Sequence, residues 1–138
     1  MTSPCAYFLR QASTQRSKNR NGNYAIKRHT IGKRLRAKLA EIKLQLRQRM
    51  HEPVPRTGKW LKSVVQGYFN YYAVPGNTDS LCLFRTRVSR LWWQVLCRRG
   101  QRNYLNWARM SRLAKRWIPS PRVLHPYPEV RFDAIHPR

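Results

Sequence analysis

The stretch Ile31-Gly-Lys-Arg-Leu-Arg-Ala-Lys-Leu-Ala-Glu-Ile-Lys-Leu-Gln-Leu-Arg-Gln-Arg-Met50 decides the fold. Its apolar residues Ile31, Leu35, Leu39, Ile42, Leu46 and Met50 recur at steps of three and four, which puts them on one face of an α-helix, and Thr30 stands where an N-cap belongs. Lys33, Arg36, Lys43 and Arg47 fall on a second stripe, about 120° round from the first at 100° per residue. One face can pack while the other meets phosphate.

Downstream, His51-Glu-Pro53-Val-Pro55 stops this helix, because proline lacks an amide hydrogen and disfavours helical geometry in the residue before it. Residues 51–57 therefore read as a linker. Lys59 to Ala73 reads as a second helix with Trp60, Leu61, Val64, Val65, Tyr68, Phe69 and Tyr72 on its apolar face, ended by Val74-Pro75-Gly76. Gly67 inside it costs about 1 kcal/mol relative to alanine, which suggests a close helix contact there. Asn77 or Thr78 caps a third helix to about Arg98, with Leu81, Phe84, Val88, Leu91, Trp92 and Val95 inward and Gly100 as its C-cap. Asn106 caps a short fourth helix that ends near Trp117. Trp107, Met110, Ala114 and Trp117 share one side of it, and Arg109, Arg112, Lys115 and Arg116 the other.

Upstream, residues 1–22 show neither helical nor strand periodicity and read as a loose basic segment. Asn21-Gly22 signals a type I′ turn, and with Tyr24-Ala-Ile-Lys-Arg28 it places a short hairpin at about 16–28. At the other end, prolines at 119, 121, 126, 128 and 137 make residues 119–138 an extended arm. The expected fold is mainly α: a small bundle of about four helices over residues 23–118, with a short N-terminal β-hairpin and a Pro-rich C-terminal arm.

A chain of 138 residues suits one small core. It carries 29 Lys+Arg against 5 Asp+Glu, a formal charge of +24 that internal ion pairs cannot neutralise, so an external polyanion is expected. With 41% hydrophobic and 12% aromatic residues it is too apolar for a disordered basic tail. Basic side chains interleave with Tyr24, Trp60, Tyr68, Tyr71, Tyr72, Trp93 and Tyr104, a mixture that holds phosphates and stacks on unpaired bases. Burial in the core competes for every one of these rings, and charge alone does not separate RNA from DNA.

Other chemistries find no support. The acids Glu41, Glu52, Asp79, Glu129 and Asp133 are scattered, with no pair at the spacing that divalent-metal catalysis needs. His29, His51, His125 and His136 lie in basic or proline-rich sequence, away from cysteine or carboxylate at metal-ligand spacing. No phosphate-cradling glycine loop occurs, so no nucleotide cofactor is expected. Cys5, Cys82 and Cys97 form no C-x-x-C pair and read as reduced thiols, the last two on a helix. No apolar run spans a bilayer and Met1-Thr-Ser-Pro-Cys5 does not resemble a signal peptide, so the expectation is a cytoplasmic protein with no membrane partner, no metal, no cofactor and no catalytic residues.

The ordered segments Ile26-Lys-Arg-His-Thr-Ile31, Lys33-Arg-Leu-Arg-Ala-Lys-Leu39 and Met50-His-Glu-Pro53 together resemble the maturase-specific domain of group II intron reverse transcriptases, also called the thumb or X domain. Gly58-Lys-Trp-Leu61, Val64-Val-Gln-Gly67, Phe69-Asn-Tyr-Tyr-Ala-Val-Pro-Gly-Asn77, Leu91-Trp92, Trp107, Arg116-Trp-Ile-Pro119 and Pro121-Arg-Val-Leu-His-Pro126 continue the likeness in that family's order, over about residues 20–137. The resemblance implies a helical element that follows the polymerase palm, grips intron RNA and helps fold it for splicing.

Carried over by position, the RNA-contacting parts are the first helix with Lys33, Arg34, Arg36, Lys38, Lys43, Arg47 and Arg49, and the segment from Gly67 to Asn77 with Tyr68, Asn70, Tyr71 and Tyr72. Lys27 and Arg28 of the hairpin, Lys59 and Lys62, and Arg109, Arg112, Lys115 and Arg116 complete the candidate RNA-binding set. The family's Tyr-x-Asp-Asp motif is absent from this sequence, as are the cysteine pairs of its HNH-type endonuclease, so polymerase and cleavage activities are not carried over. Where the family has a Phe-Leu-Gly-Phe-Thr-His-like stretch, Phe8-Leu9 runs on into Arg10-Gln-Ala-Ser13. The expected partner is group II intron RNA. The rival readings are the thumb of a split polymerase whose palm is a separate chain, and a decayed remnant that folds poorly.

Overall fold

The computed structural model describes residues 12–18, 20–22, 24–100 and 105–124. Two strands, β1 (Ala12–Lys18) and β2 (Tyr24–Thr30), precede four helices: α1 (Gly32–Gln48), α2 (Val54–Tyr72), α3 (Thr78–Cys97) and α4 (Trp107–Trp117). The protein is mainly α, a small helical bundle, as the periodicities predict.

The hairpin is antiparallel, with Ala12 opposite Thr30 and Lys18 opposite Tyr24. β1 thus takes up part of the segment that lacks a period in sequence; cross-strand pairing, a non-local interaction, supplies the order there. The connection is not a type I′ turn. Of the two residues that such a turn would centre on, Gly22 has a positive φ, 76°, and Asn21 does not.

α1 begins one residue later than Thr30 would have it. Its N-cap is Ile31, without a side-chain cap, because the Thr30 amide and hydroxyl are both engaged with Asn77, 47 residues away. The expected linker is also shorter: α2 starts at Val54, with Pro53 at the N-cap and Pro55 in the first turn. The same prolines that end α1 suit this start, where the amide hydrogens have no intrahelical acceptor to lose.

Between α2 and α3, the Asn77 amide donates to the Val74 carbonyl at 3.2 Å, with Pro75 and Gly76 (φ 86°) at the centre of the turn. Proline followed by a positive-φ glycine is the type II pattern. Asn77 holds the N-cap position of α3 but does not cap with its side chain, and the α3 C-cap is Arg98, not Gly100, in ordinary right-handed geometry. Asn106 caps α4 as expected, accepting from the Arg109 amide at 3.0 Å.

The core is built from Leu35, Ile42 and Leu46 of α1, Leu61, Val65 and Phe69 of α2, Leu81, Phe84, Val88 and Trp92 of α3, and Met110 and Ala114 of α4. Burying each large side chain contributes about 1.5–3 kcal/mol. α1 packs chiefly on α3, and α2 packs on α3 and α4. Trp107, expected on the packed side of α4, is 42% exposed and meets Trp93 edge-on at 5.6 Å. Downstream of α4, residues 119–124 follow neither helix nor strand, yet they are tied down: Arg85 Nε donates to the Pro119 carbonyl at 3.2 Å and the Leu124 amide to the Ala73 carbonyl at 3.1 Å. The rest of the expected arm lies outside the described residues.

Candidate nucleic-acid interface

Because α1 and α2 both pack inward on α3, they leave a groove between them. Lys33, Arg34, Lys38 and Glu41 of α1 and Ser63, Val64, Gly67, Tyr68, Tyr71 and Tyr72 of α2 line it, enclosing about 800 Å³. A second depression of about 440 Å³, lined by Lys59, Lys62, Gln66 and Asn70, shares Ser63 and Gly67 with the first. Gly67 is therefore not a close helix contact. A Cβ there would meet nothing within 4 Å, and the missing side chain keeps the two depressions joined.

Lys33 and Arg34 at the rim are exposed. Lys38 is paired with Glu41 at 3.0 Å, which leaves less of its charge for a ligand. Beneath them, Tyr68 stacks on Phe84 with centroids 3.7 Å apart and planes 11° apart, and Tyr72 tilts against Tyr68 at 4.4 Å. Both rings are buried, with Tyr71 half-buried edge-on to Tyr72 at 4.7 Å. The Tyr68 hydroxyl makes no well-formed hydrogen bond among the described residues. Burial pushes its phenol well above the usual range, the nearby Thr30 hydroxyl offsetting part of the effect. The tyrosines thus serve the core and at the same time form an aromatic floor.

Other candidates lie elsewhere. Lys43 and Arg47 meet Arg98 across a crevice of about 50 Å³ between α1 and α3. Arg36 is exposed and donates to the Gly32 carbonyl. Arg49 is engaged internally, bonded to Glu52 at 3.3 Å and 4.9 Å above the Trp60 ring, where it fastens the end of α1 to α2. Arg109, Arg112, Lys115 and Arg116 are all exposed on α4, away from the groove. Lys27 and Arg28 stand in β2 opposite Gln15 and Thr14. The basic residues thus form separate clusters and not one face.

Asn77 is removed from the candidate set. It is fully buried, and its amide nitrogen donates to the Tyr72 carbonyl and the Thr30 hydroxyl, both at 2.9 Å, while its oxygen accepts from the Thr30 amide at 3.0 Å. A side chain satisfied in this way joins the hairpin to the α2–α3 turn and has nothing left to offer RNA.

Ser63 and Gln66 also line these depressions and are not among the sequence candidates, although their spacing from Lys59 and Asn70 marks one helical face. Arg87 and Arg90 of α3 and Arg98 at its C-cap, exposed at helical spacing, were legible in the same way. Glu41 and Glu52 each bond to a neighbouring cation, and among the described residues no cluster of three metal-ligating side chains forms. Among those residues, too, no helix is long and apolar enough to cross a membrane. Compared with protein-family models, curated proteins and solved structures, the chain matches none.

Proposed function

We propose that the chain is an RNA-binding maturase domain, a non-enzymatic cytoplasmic module that holds group II intron RNA and assists its folding and splicing. The observation that carries this reading is the α1–α2 groove, basic at its rim and aromatic at its floor, in a chain of net charge +24. Cations at the rim attract the phosphate chain by counterion release, and the tyrosine floor gives bases a surface to lie on. The resemblance of the ordered motifs to maturase-specific domains supplies the identity of the RNA.

The test is gel-shift competition between a group II intron RNA and a duplex DNA of equal charge at about 150 mM salt, where unspecific phosphate binding is weak. Preference for the intron RNA supports the reading; equal competition reduces the protein to a generic polycation.

A second reading, the thumb of a split RNA-directed DNA polymerase, draws on Leu44 and Leu83, which are 59% and 45% exposed on α1 and α3. Large apolar side chains left in water suit a protein partner. Co-purification with a separately encoded palm tests it.

A further inference from the structure

Phosphate attraction alone does not account for the size of the α1–α2 groove or for its aromatic lining. A surface that only follows a duplex backbone needs exposed cations, such as those on α4. This groove holds about 800 Å³, within the roughly 300–1,000 Å³ of pockets that enclose small ligands, and among its lining residues Tyr68 and Tyr72 are buried and Tyr71 and Val64 half-buried. Bases stacked inside a duplex cannot reach such a floor, whereas unpaired ones can.

Gly67 sits at the saddle between the two depressions. Nothing stands within 4 Å of the Cβ it lacks, so the passage from the tyrosine floor to Lys59 and Lys62 is open. In mid-helix, glycine is a poor choice for stability, and no packing contact requires it here.

We propose that the groove takes a short run of unpaired RNA, its bases against the tyrosine floor and its phosphates on Lys33 and Arg34, with the strand passing over Gly67 toward Lys59 and Lys62. The inference rests on the RNA-binding reading and adds that the site selects unpaired nucleotides.

The test uses the full chain and two labelled RNA hairpins, one fully paired and one identical except for a single-stranded bulge, with fluorescence anisotropy at about 100 mM salt. The wild type prefers the bulged RNA by about tenfold, the scale of one stacked base. In Gly67→Leu the preference collapses toward unity while affinity for the paired hairpin persists. Its melting temperature holds or rises, because leucine favours the helix. Gly67→Ala, too short to block the saddle, keeps the preference. A wild type without preference, or a Gly67→Leu protein that retains it, overturns the groove inference and leaves RNA binding standing. Failure of both hairpins to bind at 50 mM salt overturns the RNA reading together with the groove.

Discussion

Gly58 lies against the indole of Trp117: a Cβ on Gly58 would stand 2.6 Å from Cδ2 and 2.8 Å from Cγ of that ring. The contact joins the beginning of α2 to the end of α4, beside the buried Ala114 and Ile118. Real Cβ atoms do not approach that closely, so Gly58→Ala must displace the indole. The expected cost is about 1–3 kcal/mol, against a helix-propensity gain of about 1 kcal/mol. Urea denaturation measures it, and Trp117→Leu in the same chain should recover part of the loss by making room.

Asn77→Ala removes the amide that satisfies the Thr30 amide and hydroxyl and the Tyr72 carbonyl in a buried site. The expected loss is at least about 2 kcal/mol in denaturant unfolding, since each buried group left without a partner costs about 1–3 kcal/mol. Faster hydrogen exchange at the Thr30 amide would place the effect at the join between hairpin and bundle.

Tyr68→Phe separates the ring from its hydroxyl. At neutral pH the substitution is expected to be neutral or mildly stabilising, because the hydroxyl is buried without a well-formed hydrogen bond. Its raised phenol pKa means that the folded state holds the proton after the unfolded chain has begun to lose it. Stability from this group is therefore intact below about pH 10 and declines as pH rises above it. The phenylalanine variant should show a shallower alkaline loss of stability than the wild type in melts across that range.

Glu41→Gln removes a carboxylate from the groove rim and releases Lys38 from its 3.0 Å pair. RNA affinity should rise several-fold at low salt, and the slope of log affinity against log salt should steepen as Lys38 becomes available to phosphate. Neutralising Lys33 and Arg34 should lower that slope by up to about 1 for each phosphate that is no longer neutralised. Neutralising Arg109 and Arg112 on α4 should weaken paired and bulged RNA alike. Isothermal titration over a salt series checks all three.

Local pattern determined a good deal of this protein. The steps from Ile31 to Met50 decided that α1 exists and which side is buried, because helical periodicity is a property of neighbours along the chain. Asn106 was legible as a cap for the same reason, its acceptor reaching an amide only three residues on. The charge of +24 likewise required no fold to be read. Tertiary structure decided what depends on partners distant in sequence. Thr30 is drawn from capping α1 to Asn77, 47 residues away, and no local rule contains that competition. Gly58, not Gly67, is the glycine of close approach, because only the packing of α4 on α2 brings Trp117 to it. The candidate cations divide among a groove, a crevice and an exposed helix because helix periodicity fixes the angle of a side chain about its own axis, while packing on α3 fixes what that side chain faces.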